Sequence, residues 1–398
     1  MAATPDYQPV HDDLSYLQVA QSMLNFGSYP YHRLPNGAFE LSAYRPPGWP
    51  ATLWGTWHLF GDTVSSARVV EALIGAVGAV LVTVVAGQVF GRRASLGAGV
   101  VAALSPLALA VGASLESETL FITLVMGALA AALAARRSGR WYWLLLVGLL
   151  GGLSALTRTN GLLLLPTLGL VIAAAGPTWR ARVARFAVPV VVGVLVVAPW
   201  TVRNAVELHA FIPVSTEVGN TLAGMYNPTS QHRGARWLLP QKVAHAYPRV
   251  YHRYGTGAAG DAALRRAVLR WIGRHPGYPF VVLVRNGARL LGLTGPGWAA
   301  WSLHTMTLRT DAGGAVWLGL LAITLLGAAG LWLGRRSRPA RWLWLVWAVL
   351  FVPAALVNGE LRLGAPAAAL LSVFAGLALA RAATGAREAL SRGAAVTT

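Results

Sequence analysis

Cysteine is absent from the 398-residue chain, so no disulfide framework holds any part of it. Lysine is almost absent, with Lys242 the only one. Charge of either sign is scarce, at 12% of residues against about 25% in a soluble domain. Acids are the scarcest, 14 Asp and Glu against 33 basic residues. No heptad pattern, internal repeat, P-loop, GxGxxG turn or metal-ligand motif occurs. Coiled coils, repeat arrays and the common nucleotide-binding folds are thereby excluded.

Apolar residues fill the gap: 55% of the chain, with a mean hydropathy of +0.53. They recur in runs of helical length, which predicts an all-α polytopic membrane protein. Nine spans are predicted: Ser66–Phe90, Ala94–Gly112, Glu118–Ala135, Trp141–Leu156, Thr159–Ala175, Phe186–Val202, Gly314–Gly334, Trp342–Val357 and Leu363–Ala380.

Alternating these spans sorts the charges. Arg92-Arg93, Arg136-Arg137-Arg140, Arg180-Arg182-Arg185, Arg335-Arg336-Arg338-Arg341 and the tail from Arg381 to Arg392 all fall on one face. By the positive-inside rule that face is cytoplasmic, which accounts for a net charge of +19 without nucleic acid. Twelve of the 14 acids, from Asp6 and Asp12 to Glu360, fall on the outer face, as do all nine histidines. No charge lies near the middle of a span, where ion-coupled transporters place theirs. The chemistry is expected at the outer surface. About 65 outer residues precede the first clear span with no hydrophobic signal ahead of them, which predicts a further span before Met1.

Four parts follow: an outer segment Met1–Ser65, a six-span core Ser66–Val202, an outer segment Arg203–Gly313, and a three-span bundle with cytoplasmic tail, Gly314–Thr398. Within the third part a helix is predicted near Asp261–Arg274. Tyr278–Leu293, apolar but interrupted by Arg285 and Arg289, reads as an interfacial helix.

Polar residues collect at a few outer positions. His11-Asp12-Asp13-Leu14-Ser15-Tyr16 opens a short amphipathic helix, where the acids are either only a favourable N-terminal turn or a pair able to accept a hydroxyl proton or hold a cation. Tyr44-Arg45-Pro46-Pro47-Gly48-Trp49-Pro50 fixes an extended approach to the next helix. It holds Arg45 at headgroup depth, with Trp49, Trp54 and Trp57 suited to a membrane interface. Glu116-Ser117-Glu118 stands at a span boundary, and Pro199-Trp200-Thr201-Val202-Arg203-Asn204 where a span leaves the membrane. Arg45, Arg158, Arg203 and Arg362 are each explained alone as snorkelling cations; together they could converge on a lipid phosphate.

These motifs, in this order, resemble the GT-C glycosyltransferases, in the branch with aminoarabinose transferases and protein O-mannosyltransferases. The likeness rests on Asp12-Asp13-x-x-Tyr16, Arg45-Pro46-Pro47-Gly48-Trp49-Pro50, Ser117-Glu118-Thr119-Leu120-Phe121, Leu156-Thr157-Arg158 and Pro199-Trp200-x-x-Arg203-Asn204, with Arg362 a weaker match. The resemblance implies an inverting enzyme that moves a sugar from a polyprenyl-phosphate donor to a glycan, lipid or protein acceptor on the outer face of the cell membrane. It implies Asp12, with Asp13 beside it, as the acid that orients or deprotonates the acceptor hydroxyl. Tyr16, Arg45, Glu118, Arg158, Arg203 and Arg362 become candidate substrate-binding residues. Some GT-C enzymes need a divalent metal and others none; Asp12, Asp13 and Glu118 are the acids that could hold one. Tyr44 stands where the aminoarabinose branch carries an acid, and Glu40 lies four residues earlier. Two other functions fit the same pattern: a transporter or flippase for a lipid-linked saccharide, and a non-catalytic relative that binds glycolipid.

Overall fold

The computed structural model describes residues 7–33, 39–255 and 257–396; Met1 and Asp6 lie outside the described residues. Helices dominate. An N-terminal part holds α1 (Asp12–Phe26), a short antiparallel pair β1 (Pro30–Arg33) and β2 (Phe39–Leu41), and α2 (Gly48–Phe60). The core follows with α3 (Val64–Phe90), α4 (Arg92–Ala103), α5 (Pro106–Val111), α6 (Glu118–Ser138), α7 (Trp141–Thr157), α8 (Leu164–Ala173) and α9 (Trp179–Glu207). Then come seven shorter helices, α10 (Val218–Met225), α11 (Pro228–His232), α12 (Pro240–Ala246), α13 (Pro248–Tyr254), α14 (Ala258–Arg274), α15 (Tyr278–Leu290) and α16 (Pro296–Thr305). The chain closes with α17 (Gly313–Gly334), α18 (Arg338–Val357) and α19 (Leu361–Val396).

Among the described residues six helices are long and apolar enough to cross a membrane: α3, α6, α9, α17 with the turn before it, α18 and the first 25 residues of α19. Two further apolar helices, α7 and α8, are shorter. The second predicted span, Ala94–Gly112, is not one helix. Pro106 cannot donate to the ladder, and the Ser105 hydroxyl instead accepts the Ala108 amide (3.3 Å) and caps a new helix, so the run breaks into α4 and α5. At the other boundaries α9 begins earlier than predicted, at Trp179, and ends later, at Glu207; Thr178 caps its start. This multi-pass bundle packs around Phe121, Met126, Leu129, Leu168, Ile172 and Phe374, all buried. The most enclosed spans are α6 and α19; α3 and α9 stay largely uncovered by protein.

The basic groups meet at one end of the bundle. Arg93 reaches Thr384 (3.4 Å), Arg136 donates to the Val171 carbonyl and lies over Trp342 (5.3 Å), and Arg185 donates to the Ala175 carbonyl (2.7 Å). At the opposite end α1 and α2 pack on the bundle through Tyr16, Leu17, Trp49, Leu53 and Leu115. Trp49 and Trp57 are buried in this small core rather than lying at an interface, and only Trp54 is exposed. The Trp49 indole donates to the Leu115 carbonyl (2.8 Å) and that of Trp57 to Thr63 (3.0 Å). Trp49→Ala is expected to cost about 3–5 kcal/mol, the range for emptying a buried aromatic site. Thermal unfolding in detergent measures it; a change below 1 kcal/mol would count against this packing.

The segment between α9 and α17 has an apolar core of its own, built from Met225, Tyr226, Leu238, Leu264, Val268 and Val282. The helix predicted near Asp261–Arg274 is α14. Predicted Tyr278–Leu293 is α15, which ends at Leu290, turns Tyr278, Val282 and Arg289 inward and leaves Phe280, Val281 and Val284 exposed.

Candidate active site

A knot of ions sits where α1, the start of α2, the start of α6, the end of α7 and the start of α19 meet. Asp12, the first residue of α1, is at its centre. Its Oδ1 pairs with Arg45 Nη2 and its Oδ2 with Arg362 Nη2 (2.6 Å). Arg45 also reaches the Ser15 hydroxyl through Nε (2.9 Å) and Glu217 through Nη1 (3.4 Å), and lies over the Tyr16 ring (4.8 Å). Arg362 holds Glu116 (2.6 Å) and Glu360 (2.9 Å) besides Asp12, with Glu118 at 3.8 Å. Arg158 pairs with Glu118 (2.6 Å) and donates to the Ser117 hydroxyl (3.0 Å), which also accepts the Tyr16 hydroxyl (3.2 Å).

Local sequence explains how each group is held. Two prolines fix the chain after Arg45, and the Tyr29 hydroxyl donates to the carbonyls of Arg45 (3.1 Å) and Pro46 (3.4 Å). Gly48 is required next: a Cβ there would lie 2.6 Å from the Thr157 hydroxyl, so only glycine lets the Arg45 turn abut Arg158's helix end. Glu116 and Glu118 follow Leu115, a non-glycine residue with φ +52°, a conformation that persists only when its surroundings over-determine it. They do: buried Glu71 accepts the Leu115 amide (3.0 Å) while Trp49 binds its carbonyl.

Five carboxylates thus face three guanidinia. Glu116 and Glu118 are fully enclosed, whereas Asp12 keeps 35% of its side chain exposed. Burial alone would raise the Asp12 carboxyl, but Arg45 and Arg362 outweigh it and hold Asp12 well below the usual carboxylate range. Burial pushes Glu116 well above that range against the pull of Arg362, and raises Glu217 against Arg45.

Asp13 and Arg203 stand apart from this knot. Asp13 is fully buried and turned the other way: Oδ1 accepts the amides of Val10 (3.2 Å), His11 (2.8 Å) and Leu14 (2.8 Å), and Oδ2 accepts the Tyr7 hydroxyl (2.5 Å). It holds the start of α1 in place. Asp13→Ala strands three amides and is expected to cost about 3 kcal/mol. Asp13→Asn keeps an accepting oxygen and is expected to lose less than half of that in the same unfolding measurement. Arg203 does not converge with the other three arginines. It donates to the carbonyls of Ser42 (2.9 Å) and Tyr29 (3.1 Å) and to Asn204 Oδ1 (3.1 Å) and lies over Trp200 (5.1 Å), so it ties the N-terminal part to α9.

The acids also make no cage for a divalent metal. Asp13 is spent on amides, Asp12 and Glu118 on guanidinia, and among the described residues no group of three or more acids or histidines is arranged to hold an ion. Glu116, Glu217 and Glu360 join the knot without having been singled out as site residues. Glu217 lies 172 positions beyond Arg45, and no spacing signals such a pair.

Residues 44–202 match the family of dolichyl-phosphate-mannose-protein mannosyltransferases, a stretch that holds Arg45, Glu118 and Arg158 but neither Asp12 nor Arg362. Over its whole length the chain superposes on an oligosaccharyltransferase, AglB of Archaeoglobus fulgidus, solved with an inhibitory peptide and a dolichol-phosphate. The TM-score is 0.56 and identity 20%, over 98% of this chain and 48% of that one. The chain has the GT-C glycosyltransferase fold. The same archaeal enzyme tethered to an acceptor peptide matches with a TM-score of 0.54 at 17% identity, over 94% of this chain and 45% of that one. The chain spans about half the length of those oligosaccharyltransferase structures. ArnT of Cupriavidus metallidurans bound to undecaprenyl phosphate is a looser likeness, with a TM-score of 0.43 and 18% identity over 96% of this chain and 76% of that one. No curated protein matches the sequence.

Proposed function

We propose that the protein is an inverting glycosyltransferase that moves a sugar from a polyprenyl-phosphate donor to an acceptor hydroxyl at the outer surface of the membrane. The observation that carries this reading is Asp12: the most exposed carboxylate of the knot, kept ionised and aimed by two arginines from opposite ends of the chain. In displacement at the anomeric carbon the acceptor oxygen attacks opposite the leaving phosphate and sheds its proton as the bond forms. Asp12 accepts a hydrogen bond from that hydroxyl, fixes its line of attack and takes up part of the developing positive charge. Its depressed pKa makes it a weak base, so orientation outweighs early proton removal. Tyr16 and Ser117 hold the floor of the site, and Asp13 positions Asp12 through the start of α1.

Two further features support a lipid donor. An apolar groove of about 310 Å³ lies between α3, α5, α6 and α19, lined by Gly75, Gly78, Ala108, Thr119, Ala365 and Ala368. Thr119 adjoins Glu118, so an isoprenoid tail in the groove would bring its head to the ion knot. The leaving phosphate needs cations as its charge grows, and Arg158 is the least enclosed of the three arginines, with 23% of its side chain exposed. The AglB structure was solved with a dolichol-phosphate, which fits this donor class. The exoplasmic placement rests on the arginine groups at the other end of the bundle.

The deciding assay offers a panel of radiolabelled polyprenyl-phosphate sugars to the purified chain in membranes, beside Asp12→Asn. Transfer by the wild type that Asp12→Asn loses supports the reading. Donor translocated intact by both proteins would sink it and identify a flippase. Glycolipid bound with no donor consumed would identify a non-catalytic relative.

A further inference from the structure

Arg362 meets four carboxylates, yet it is only the second residue of α19 and follows an irregular turn, Asn358-Gly359-Glu360. Whatever holds that turn decides where the guanidinium lies. Inside the turn Asn358 binds Glu360 twice: its Nδ2 donates to Oε1 (3.0 Å) and its Oδ1 accepts the amide (3.2 Å). From outside, the segment between α9 and α17 supplies four more bonds. The Tyr226 hydroxyl donates to the Leu356 carbonyl (2.8 Å), Asn286 Nδ2 to the Ala355 carbonyl (3.0 Å) and the Trp298 indole to the Gly359 carbonyl (2.7 Å). The Ser302 hydroxyl accepts the Leu361 amide (3.2 Å).

The last two bonds act at the start of α19 itself. A helix leaves its first amides without partners, and that of Leu361 is met by a buried serine of a different helix, α16. Trp298 and Ser302 stand four residues apart on α16, so one face of that helix presents both groups to the turn. Trp298 is held in its own place by Arg289, which is buried, lies over the indole (4.1 Å) and donates to Asn286 Oδ1 (2.8 Å) and the Gly234 carbonyl (2.9 Å). Gly359 has to be glycine, since a Cβ would lie 2.7 Å from both Arg289 and Asn286. The turn therefore seats directly against α15 and α16, and α16 fixes Arg362 as the two prolines fix Arg45.

We infer that Trp298 and Ser302 are positioning residues for Arg362 and, on the transferase reading, set the alignment of Asp12 without touching either substrate. A shift of the Gly359 peptide moves the base of the side chain that grips Asp12, and a misplacement of about 1 Å in a catalytic group can cost as much as 10²-fold in rate. The carboxylates that face Arg362 are Asp12 of α1, Glu116 and Glu118 at the start of α6, and Glu360 of the turn. Arg45 also holds Asp12, and Arg158 also holds Glu118. Among the described residues Glu116 pairs with no cation but Arg362, so Glu116 reports any displacement of that guanidinium. Burial already raises the Glu116 carboxyl against the pull of Arg362, and a weaker pull raises it further.

The test is Trp298→Phe in the full chain, which removes the indole donor and keeps a ring beneath Arg289. Neither an indole nor a carbonyl titrates, so loss of that bond alone lowers the unfolding midpoint equally at every pH. A displaced Arg362 behaves differently. A raised folded pKa contributes stability below the unfolded value that is lost as pH rises through the folded one. Thermal unfolding in detergent should therefore show Trp298→Phe falling about 2–4 °C further below wild type at pH 8 than at pH 5. In an Arg362→Gln background that pH-dependent part should vanish. Trp301→Phe, the same exchange at the neighbouring indole, should show none. Ser302→Ala, which frees the Leu361 amide, is read in the same way and decides the matter if Trp298→Phe does not fold. A deficit independent of pH, or one whose pH dependence survives in the Arg362→Gln background, overturns the inference. This arm needs no sugar transfer, so it stands or falls apart from the transferase reading. In a wild type that transfers sugar, Trp298→Phe should lower kcat about tenfold with KM within threefold, and an unchanged kcat also overturns the inference.

Discussion

Asp12→Asn should lower kcat/KM for sugar transfer by about 10²–10⁴-fold while leaving the protein folded. The amide is isosteric, and it can still accept from one guanidinium. Its NH2 group, however, faces the other guanidinium donor to donor, so it can neither hold both arginines nor accept the acceptor's proton. Asp12 is partly open to solvent, so the change strands little buried charge. Asp12→Glu restores the charge one methylene out of place and is expected to recover only a small part of the rate, because alignment of the hydroxyl is what the two arginines provide. Activity of Asp12→Asn within threefold of wild type would remove Asp12 from the chemistry. The pH profile adds a check. Asp12's folded pKa is depressed, so its stabilising contribution is present above the unfolded value near 3.9 and is lost only as pH falls through the much lower folded value. No acid limb from Asp12 is expected between about pH 5 and 8.

Arg362→Gln should lower stability by about 3–5 kcal/mol, the cost of removing one partner from a buried ion pair. Among the described residues Arg362 is the only cation paired with Glu116 and with Glu360, and it shares Asp12 with Arg45 and Glu118 with Arg158. Glutamine leaves at least one enclosed carboxylate without a cation. Glu116, already raised by burial in the wild type, then stays protonated to still higher pH. A raised folded pKa contributes stability below the unfolded value near 4.3, which is lost as pH rises through the folded one. The gap between variant and wild type should therefore narrow toward pH 5 and widen toward pH 8 in thermal unfolding. A gap independent of pH would mean that the enclosed acids do not depend on Arg362 for neutralisation.

The helices and the sidedness of the arginines were legible because both are local: an apolar run and the charges that flank it are read within about 25 residues. The break between α4 and α5 was missed because hydropathy averages over Pro106, although the serine-proline pair marks it. Arg45, Arg158 and Arg362 could be singled out as outer-boundary cations. That they grip carboxylates could not, because Arg45–Glu217 and Arg362–Asp12 join positions 172 and 350 residues apart. Asp12 and Asp13 are indistinguishable in sequence. On a helix adjacent residues point about 100° apart, so the register of α1 alone decided which acid would meet the arginines and which the amides. Arg203 sits in as orderly a motif as Arg45, yet its guanidinium reaches the Ser42 and Tyr29 carbonyls and the Asn204 amide oxygen rather than a carboxylate of the knot, and no pattern of residue types separates the two.

The bond between Asp12 and Arg362 links α1 to α19. During synthesis α1 is made about 350 residues before its partner, so for most of translation Asp12 has Arg45 but no second arginine. Until α19 has inserted, the two halves of the knot do not exist together. In the proposed reaction, a nascent chain holding the apolar groove's first three helices could not yet aim an acceptor hydroxyl at the sugar. If Asp12 acts as proposed, competence arrives only once α19 has joined the bundle, and a polypeptide stalled before it would be inert rather than promiscuous.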